Sequence, residues 1–264
     1  MDLNLQNKRA LVTGSTVGIG YAIALRLARE GAEVVLHGRS QGRVDDAVKS
    51  ITSEIPGARV RGVTADLATD AGARRLSAEV PDVDILVNNA GIYGAKDFEE
   101  LTHEDWTRIM QVNVYSGATL AQQHLPRMLE RNSGRIIFIS SESASNIPVE
   151  MIHYGVSKAA QSALARGLAE RTRGTAVTVN SVLAGPTKSE GVEEFVRGLA
   201  KQRNLTESDV EKEFFTLARP GSLIHRFATP DEVANVVAFV ASPLASIMNG
   251  GAIRAEGGLL KNML

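Results

Sequence analysis

The chain has 264 residues, 44% of them hydrophobic, with a formal net charge of −1 and no cysteine. That length suits one large domain with a sizeable core, the balanced and interspersed charge offers no nucleic-acid footprint, and the lack of thiols excludes disulfides, thiolate zinc sites and a cysteine nucleophile. The start, MDLNLQNKRALVTG, lacks the basic region and apolar run of a signal peptide, and no apolar run approaches the roughly eighteen residues of a membrane helix, so a cytoplasmic globular protein is expected.

In chain order, a first strand is expected over Arg9–Gly14, followed by GSTVGIGYAIALRLAREGA (Gly14–Ala32), whose apolar spacing predicts a helix near 18–30. A strand at Glu33–Gly38 leads to a helix near 40–53 that Ser40 would cap. A strand from Arg59 or Val60 to Asp66 precedes a helix near 69–79, with Thr69 at its cap. Strands at Val83–Gly91, Gly134–Ser141 and Ala176–Val182 alternate with helices near 104–131 and 154–172. A helix near 230–241, capped by Thr229 with Pro230 in its first turn, precedes a last strand at Gly250–Gly258. Several strands are apolar almost throughout, as in parallel strands covered on both faces. The alternation predicts a single-domain α/β fold: a Rossmann-like, doubly wound parallel sheet of about seven strands with right-handed crossovers.

One stretch breaks the rhythm. Lys188–Phe227 carries no strand pattern and two short helical pieces, EGVEEFVRGLAKQ and TESDVEKEFFTLA. An insertion that follows a strand's carboxyl end reads as a substrate lid at about 188–227, against the plainer reading of a surface excursion.

Gly14, Gly18 and Gly20 fall between the first strand and the first helix. A glycine costs about 1 kcal/mol relative to alanine inside a helix, so something there requires bare backbone. Ligands of open α/β sheets lie outside the carboxyl ends of strands, and a helix N-terminus offers unpaired N–H groups and a positive dipole end that suit a phosphate. A dinucleotide or a turn with tight packing would account for the glycines equally well. The spacing Thr13-Gly14-x-x-x-Gly18-x-Gly20 departs from the commoner G-x-G-x-x-G.

This pattern resembles the classical short-chain dehydrogenase/reductase family, and the resemblance runs from about residue 5 to 260. NNAG (Asn88–Gly91), Asn113 in QVNVYSG, YGVSK with Tyr154 and Lys158, Ser141 thirteen residues before Tyr154, and AGPTKSEG all match family motifs in order. The resemblance includes 3-oxoacyl-(acyl carrier protein) reductases. It implies hydride transfer between a nicotinamide and a carbonyl or secondary-alcohol carbon, with Tyr154 as general acid/base. Lys158 would bind the nicotinamide ribose, Ser141 would hold the substrate oxygen, and Asn113 would hold a water in a proton relay to Lys158. A free tyrosine has a pKa of about 10, and a cation can lower it by about 1–3 units. Lys158, four residues on, shares the helix face of Tyr154. Each of the four residues also has a structural reading, and Ser140 rivals Ser141, but Asn113 is unfavourable by propensity in mid-helix, which suits a special role.

By the same resemblance, Gly14, Ser15, Thr16, Gly18, Ile19 and Gly20 form the phosphate loop. Asp66 and the Leu67 backbone meet adenine. Asn89, Gly91, Ile92, Val182, Gly185, Thr187 and Ser189 approach the cofactor, along with Tyr154 and Lys158. An acidic residue usually follows the second strand to take the ribose hydroxyls of NAD. Gly38 stands there instead, and Arg39 follows. A guanidinium suits a phosphate through charge-assisted bonds worth roughly 1.5–3 kcal/mol, so NADP(H) is expected over NAD(H). Ser15, His37 and Ser40 would add donors to the 2′-phosphate; Val17, where many NADP-dependent relatives carry a second basic residue, adds none. No metal is expected.

Two motifs depart from the family: Ala184-Gly185 replaces Pro-Gly, and AEGG with Glu256 replaces Asp-Gly-Gly. The resemblance implies a homotetramer or dimer. Phe195, Leu199, Phe214, Phe215, Leu217 and Met151 would give the substrate pocket an apolar cast, and Arg127, Arg131 and Arg135 are candidates for docking a carrier protein. The competing class is a non-catalytic NADP(H) sensor, which could keep the glycine loop but would not require the Tyr–Lys pair.

Overall fold

Along β1 (Arg9–Val12), Ala10 and Val12 face one side and Leu11 the other, and all three are fully buried. A strand apolar on both faces must be covered on both, and the computed structural model has that arrangement. It describes residues 1–262, the side chain of Phe195 excepted. β1, β2 (Glu33–Gly38), β3 (Val60–Thr64), β4 (Ile85–Asn88), β5 (Gly134–Ser141), β6 (Val177–Ala184) and β7 (Ala252–Ala255) form one parallel sheet in the order 3-2-1-4-5-6-7. Helices α1 (Gly18–Arg29), α2 (Gln41–Glu54) and α9 (Pro230–Ala241) cover one face. Helices α3 (Asp70–Glu79), α5 (Ser116–Glu130) and α6 (Ile152–Glu170) cover the other. The strand order reverses between β1 and β4, which opens a crevice beyond their carboxyl ends.

The caps follow their chemistry. The Thr69 hydroxyl accepts from Gly72 N–H, and Thr229 forms a capping box with Glu232 behind Pro230. Ser40 stands at the N-cap of α2 without a side-chain cap bond.

Three boundaries differ from expectation. The helix predicted over 104–131 is α4 (His103–Met110), a π-helical turn at Gln111–Tyr115, and α5. The wider turn contains Asn113, and such turns accompany functional sites. The strand predicted to Gly91 stops at Asn88, because Asn89 and Ala90 bond back to Thr13. The last strand is trimmed to four residues, with Gly250, Gly257 and Gly258 at φ of +74°, +70° and +76° outside it.

The insertion at 188–227 holds α7 (Glu190–Arg203), α8 (Glu207–Glu213) and a π-helical turn at Phe214–Ala218. Its ends are clasped by a parallel bridge between Thr187 and Ala228, with Lys188 N–H on Ala228 C=O at 2.8 Å and Ala228 N–H on Pro186 C=O at 2.9 Å. It has a core of its own: Val196, Ala200, Val210, Phe215 and Phe227, with Val192, Leu199 and Phe214 against them. The expected apolar pocket is corrected accordingly. Phe214, Phe215 and Leu199 fill the insertion, Leu217 is exposed, and only Met151 is half-buried outside it. The Phe195 side chain lies outside the described residues.

A segment with a separate core should open separately. Phe215→Ala is expected to cost about 3–5 kcal/mol locally. Hydrogen–deuterium exchange should accelerate across 190–218 while the amides of β1, β4 and β5 stay protected; uniform acceleration would show one cooperative unit instead.

Candidate active site

The glycine loop is built by exclusion. Gly14 has φ +61°, and a Cβ there would stand 2.9 Å from Ala90 Cα. A Cβ on Gly20 would run into the Gly14 carbonyl oxygen and the Asn89 carboxamide. Gly18 also lies in the left-handed region, at φ +59°. Asn89 Nδ2 donates to the carbonyls of Thr13 (2.9 Å) and Gly14 (2.8 Å), and Thr13 Oγ1 accepts from the N–H groups of Asn89 and Ala90 at 3.0 Å each. Two strand ends and the loop are thereby stapled at the crevice.

Two sequence expectations are corrected here. His37 Nδ1 accepts from Gly14 N–H at 3.1 Å, and Nε2 donates to the Ala65 carbonyl at 3.1 Å. Both ring nitrogens are taken, the imidazole is neutral, and burial lowers its pKa to about 4. The Ser15 hydroxyl donates to the Val12 carbonyl at 2.7 Å and accepts from His37 N–H at 3.0 Å, while Ser15 N–H bonds the His37 carbonyl. Neither side chain is available to a 2′-phosphate; both hold the loop against β2.

The loop nonetheless fits a phosphate. Val17 stands at the N-cap of α1, where it offers no side-chain oxygen, so the first N–H groups of the helix are left uncapped. Thr16 packs its methyl over Gly38, where a Cβ would come within 2.7 Å of it, and Ile19 packs on the core. Arg39 and Ser40 lie exposed just past β2. Asp66 Oδ1 accepts from Ala68 N–H at 3.0 Å, and the Leu67 side chain is buried.

Tyr154 and Lys158 share one face of α6, with Lys158 Nζ 5.6 Å from the centre of the tyrosine ring. Nζ donates to the Ile139 carbonyl at 2.8 Å, and burial lowers its pKa to about 8. Burial pushes the Tyr154 phenol upward. Lys158 is not among the groups that move the phenol here; burial dominates. Tyr93 packs edge-on to Tyr154 at 6.2 Å.

The two serines separate cleanly. Ser140 Oγ donates to the Lys158 carbonyl at 2.9 Å and accepts from Ser162, whereas Ser141 faces Tyr154. Asn113 donates to the Ile92 carbonyl and to Ser157 Oγ, each at 2.9 Å, and accepts from Ile92 N–H at 2.8 Å. Both its amide protons are committed, and the side chain clamps Ile92 to α6. A Cβ on Gly91 would stand 3.4 Å from Asn113 Oδ1 and 3.5 Å from Lys158 Nζ.

On the far side of β4, Gly185 packs against the Glu256 backbone, where a Cβ would come within 2.7 Å. The Glu256 carboxylate takes Leu259 N–H, Leu260 N–H and Arg254, and so ties down the C-terminal loop. Thr187 Oγ1 donates to the Gly185 carbonyl at 2.9 Å. Val182 is buried in the core beneath α1 and α9, and Ser189 is at the N-cap of α7 beside Gly18. The three arginines considered for docking are occupied: Arg127 on the Pro81 carbonyl, Arg131 on those of Val83 and Ser133, and Arg135 on those of Gly134 and Ala176.

Sequence reasoning missed Glu142 and Arg219. Glu142 is 4% exposed, accepts from the Ser141 hydroxyl, and is 3.3 Å from Arg219 Nε. A lone glutamate within SSESAS carries little signal, and its partner is 77 residues away in the insertion.

A crevice at a strand-order reversal, an uncapped glycine-rich helix start and a cluster of half-buried Tyr154 with buried Lys158 and Ser141 define a dinucleotide-dependent oxidoreductase. The sequence profile of the short chain dehydrogenase family matches residues 8–199, and the chain belongs to that family, whose members act on CH–OH and C=O groups. It is 43% identical over the full length of both chains to the uncharacterized oxidoreductase YvaG of Bacillus subtilis. It is 32% identical to the 3-oxoacyl-[acyl-carrier-protein] reductase FabG of Aquifex aeolicus, over 98% of this chain and all of that one. Among solved structures, L-sorbose reductase from Gluconobacter frateurii, complexed with NADPH and L-sorbose, superposes with a TM-score of 0.93 at 31% identity, covering 100% of each chain. Among the described residues no helix is long and apolar enough to cross a membrane.

The buried imidazoles set a pH limit. His37 and His124 both have folded pKa values of about 4, lowered chiefly by burial, against an ordinary 6.5. Below 6.5 the unfolded chain binds protons that the native state refuses, so stability present above pH 6.5 is lost as pH falls toward 4, at up to about 1.4 kcal/mol per pH unit for each group. Urea midpoints should fall between pH 6.5 and 5, and replacing His124 with Gln should flatten that slope; a flat wild-type profile would mean the rings are not buried neutral.

Proposed function

We propose that the protein is an NADP(H)-dependent carbonyl reductase or alcohol dehydrogenase using a Tyr154–Lys158–Ser141–Asn113 tetrad. The observation that carries this reading is the position of Tyr154: a half-buried phenol between Ser141 and Lys158, beside the crevice that the glycine loop borders. A bound nicotinamide supplies or accepts the hydride at the substrate carbon.

The chain's own residues manage the oxygen. In the reducing direction the Tyr154 hydroxyl gives its proton to the oxygen as the carbon gains hydride, and the phenolate regains a proton from solvent. Lys158 stabilises that phenolate and, held by the Ile139 carbonyl, faces the cofactor ribose. Ser141 holds the oxygen in line. Such positioned donors act on the charge that develops in the transition state. Asn113 holds the water of a proton relay to Lys158, while its side chain fixes Ile92 and, through Ser157, the helix that carries Tyr154.

The glycine loop takes the pyrophosphate at Thr16, Gly18 and Ile19. Asp66 and Leu67 receive the adenine, and Asn89, Gly91, Gly185 and Thr187 border the nicotinamide half. Arg39 and Ser40 take the 2′-phosphate, a reading supported by the exposure of both and by Gly38 in place of an acid. The insertion at 188–227 serves as the substrate lid, supported by its separate core and the approach of Ser189 to Gly18. A homotetramer is supported by the exposed edge of β7 and by Ile247, which is 94% exposed beside it; sedimentation should give four chains, and a monomer would refute this.

Tyr154→Phe should abolish ketone-dependent NADPH oxidation while NADPH still quenches protein fluorescence with near wild-type affinity. Arg39→Ala should weaken NADPH binding by about 10- to 150-fold, the equivalent of roughly 1.5–3 kcal/mol, with NADH affinity little changed. Full turnover in the first variant would remove Tyr154 from the chemistry, and equal losses for both cofactors in the second would remove Arg39 from the 2′-phosphate.

A further inference from the structure

A serine hydroxyl has one proton to donate. In this protein the Ser141 proton goes to the Glu142 carboxylate, while Ser141 Oγ accepts from Ser143 N–H at 3.1 Å. Glu142 is buried in place by Arg219, whose Nε is 3.3 Å from the other carboxylate oxygen. Arg219 is 13% exposed, lies 5.7 Å from the centre of the Phe214 ring, and donates to its neighbour's carbonyl at 2.8 Å. Its Nη1 is also 3.8 Å from Glu150. The serine that should hold a carbonyl oxygen is therefore engaged by a carboxylate, in a bond of the strong, charge-assisted kind.

A simple ketone brings only an acceptor. To take the Ser141 proton it would have to leave one buried carboxylate oxygen without its donor, which is unfavourable. A ketone with a hydroxyl on the adjacent carbon brings its own proton. That hydroxyl can donate to Glu142 and replace Ser141, which is then released to donate to the carbonyl. No donor is lost in the exchange.

We propose that Glu142, held by Arg219, recognises a hydroxyl next to the reacting carbon, and that the substrates are α-hydroxy ketones or the corresponding vicinal diols. This rests on the reductase reading above and specifies its substrate class. Arg219 follows the π-helical turn of the insertion, so the recognition residue and the insertion are joined through one ion pair.

The test uses the intact protein with NADPH and matched ketones: 3-hydroxy-2-butanone against 2-butanone, 2-hydroxycyclohexanone against cyclohexanone, and dihydroxyacetone against acetone. A β-ketoacyl thioester and a quinone complete the set. Wild-type kcat/KM should favour each hydroxy ketone by about 10- to 100-fold, the range that one hydrogen bond to a charged group supplies. Glu142→Gln, which keeps the shape and removes the charge, should reduce that ratio to about threefold or less, chiefly through KM for the hydroxy ketone. The wild-type ratio is decisive even if the variant fails to fold. Equal use of both members of each pair, abolished by Tyr154→Phe, overturns the hydroxyl recognition and leaves the reductase reading intact. So does turnover confined to the thioester or the quinone. Failure to oxidise NADPH with any of these compounds overturns both.

Discussion

Everything in the site depends on how β1 and β4 are joined beyond their last ladder bonds. Thr13 and Asn89 exchange side-chain-to-backbone bonds there, and Asn89 also grips the Gly14 carbonyl. Polar groups at a strand end inside a fold must be paired, and these pairs leave no space for a Cβ at Gly20. The glycines are therefore needed twice: for the left-handed backbone at Gly14 and Gly18, and for the close approach of α1 to the staple. His37 and Ser15 complete the arrangement from the β2 side. A loop so thoroughly bonded through its first residues presents the start of α1 as a rigid set of donors.

Burial governs the chemistry as much as charge does. It moves Tyr154 and Lys158 in opposite directions, the acid upward and the base downward, because desolvation disfavours whichever form is charged. Both groups are thus biased toward neutrality. A phenol that keeps its proton is suited to giving it up only as negative charge forms on the substrate oxygen, and a lysine close to neutral pH can answer that change. The π-helical turn at Gln111–Tyr115 contributes by aiming Asn113 at Ile92 and at α6, so that the helix carrying Tyr154 is fixed relative to the end of β4.

The insertion is a small folded unit clasped at Thr187 and Ala228. Its aromatic residues satisfy one another, with Phe214, Phe215 and Phe227 at mutual centroid distances of 5.0 Å. Among its described residues it brings Arg219, a charge, to Glu142. That charge is matched by Glu142, so the environment of the serine is set from outside the sheet.

Strand–helix alternation and the glycine spacing were legible in the chain because they are local: periodicity and short spacings determine which face a residue occupies, whereas the expected roles of Tyr154, Lys158 and Ser141 came from the family resemblance. The seven-strand parallel sheet, the capping threonines at 69 and 229 and the span of the insertion followed from the same local rules. The tertiary structure decided the direction of each polar side chain. Ser15 and His37 turned inward because buried backbone groups needed partners, Asn113 was committed to Ile92 and Ser157, the three arginines at 127, 131 and 135 found carbonyls, and Phe215 found a core inside the insertion. Glu142 and Arg219 met across 77 residues. Such pairings depend on which strand ends and loops converge and on how far burial outweighs solvation, and neither is encoded in the spacing of neighbouring residues.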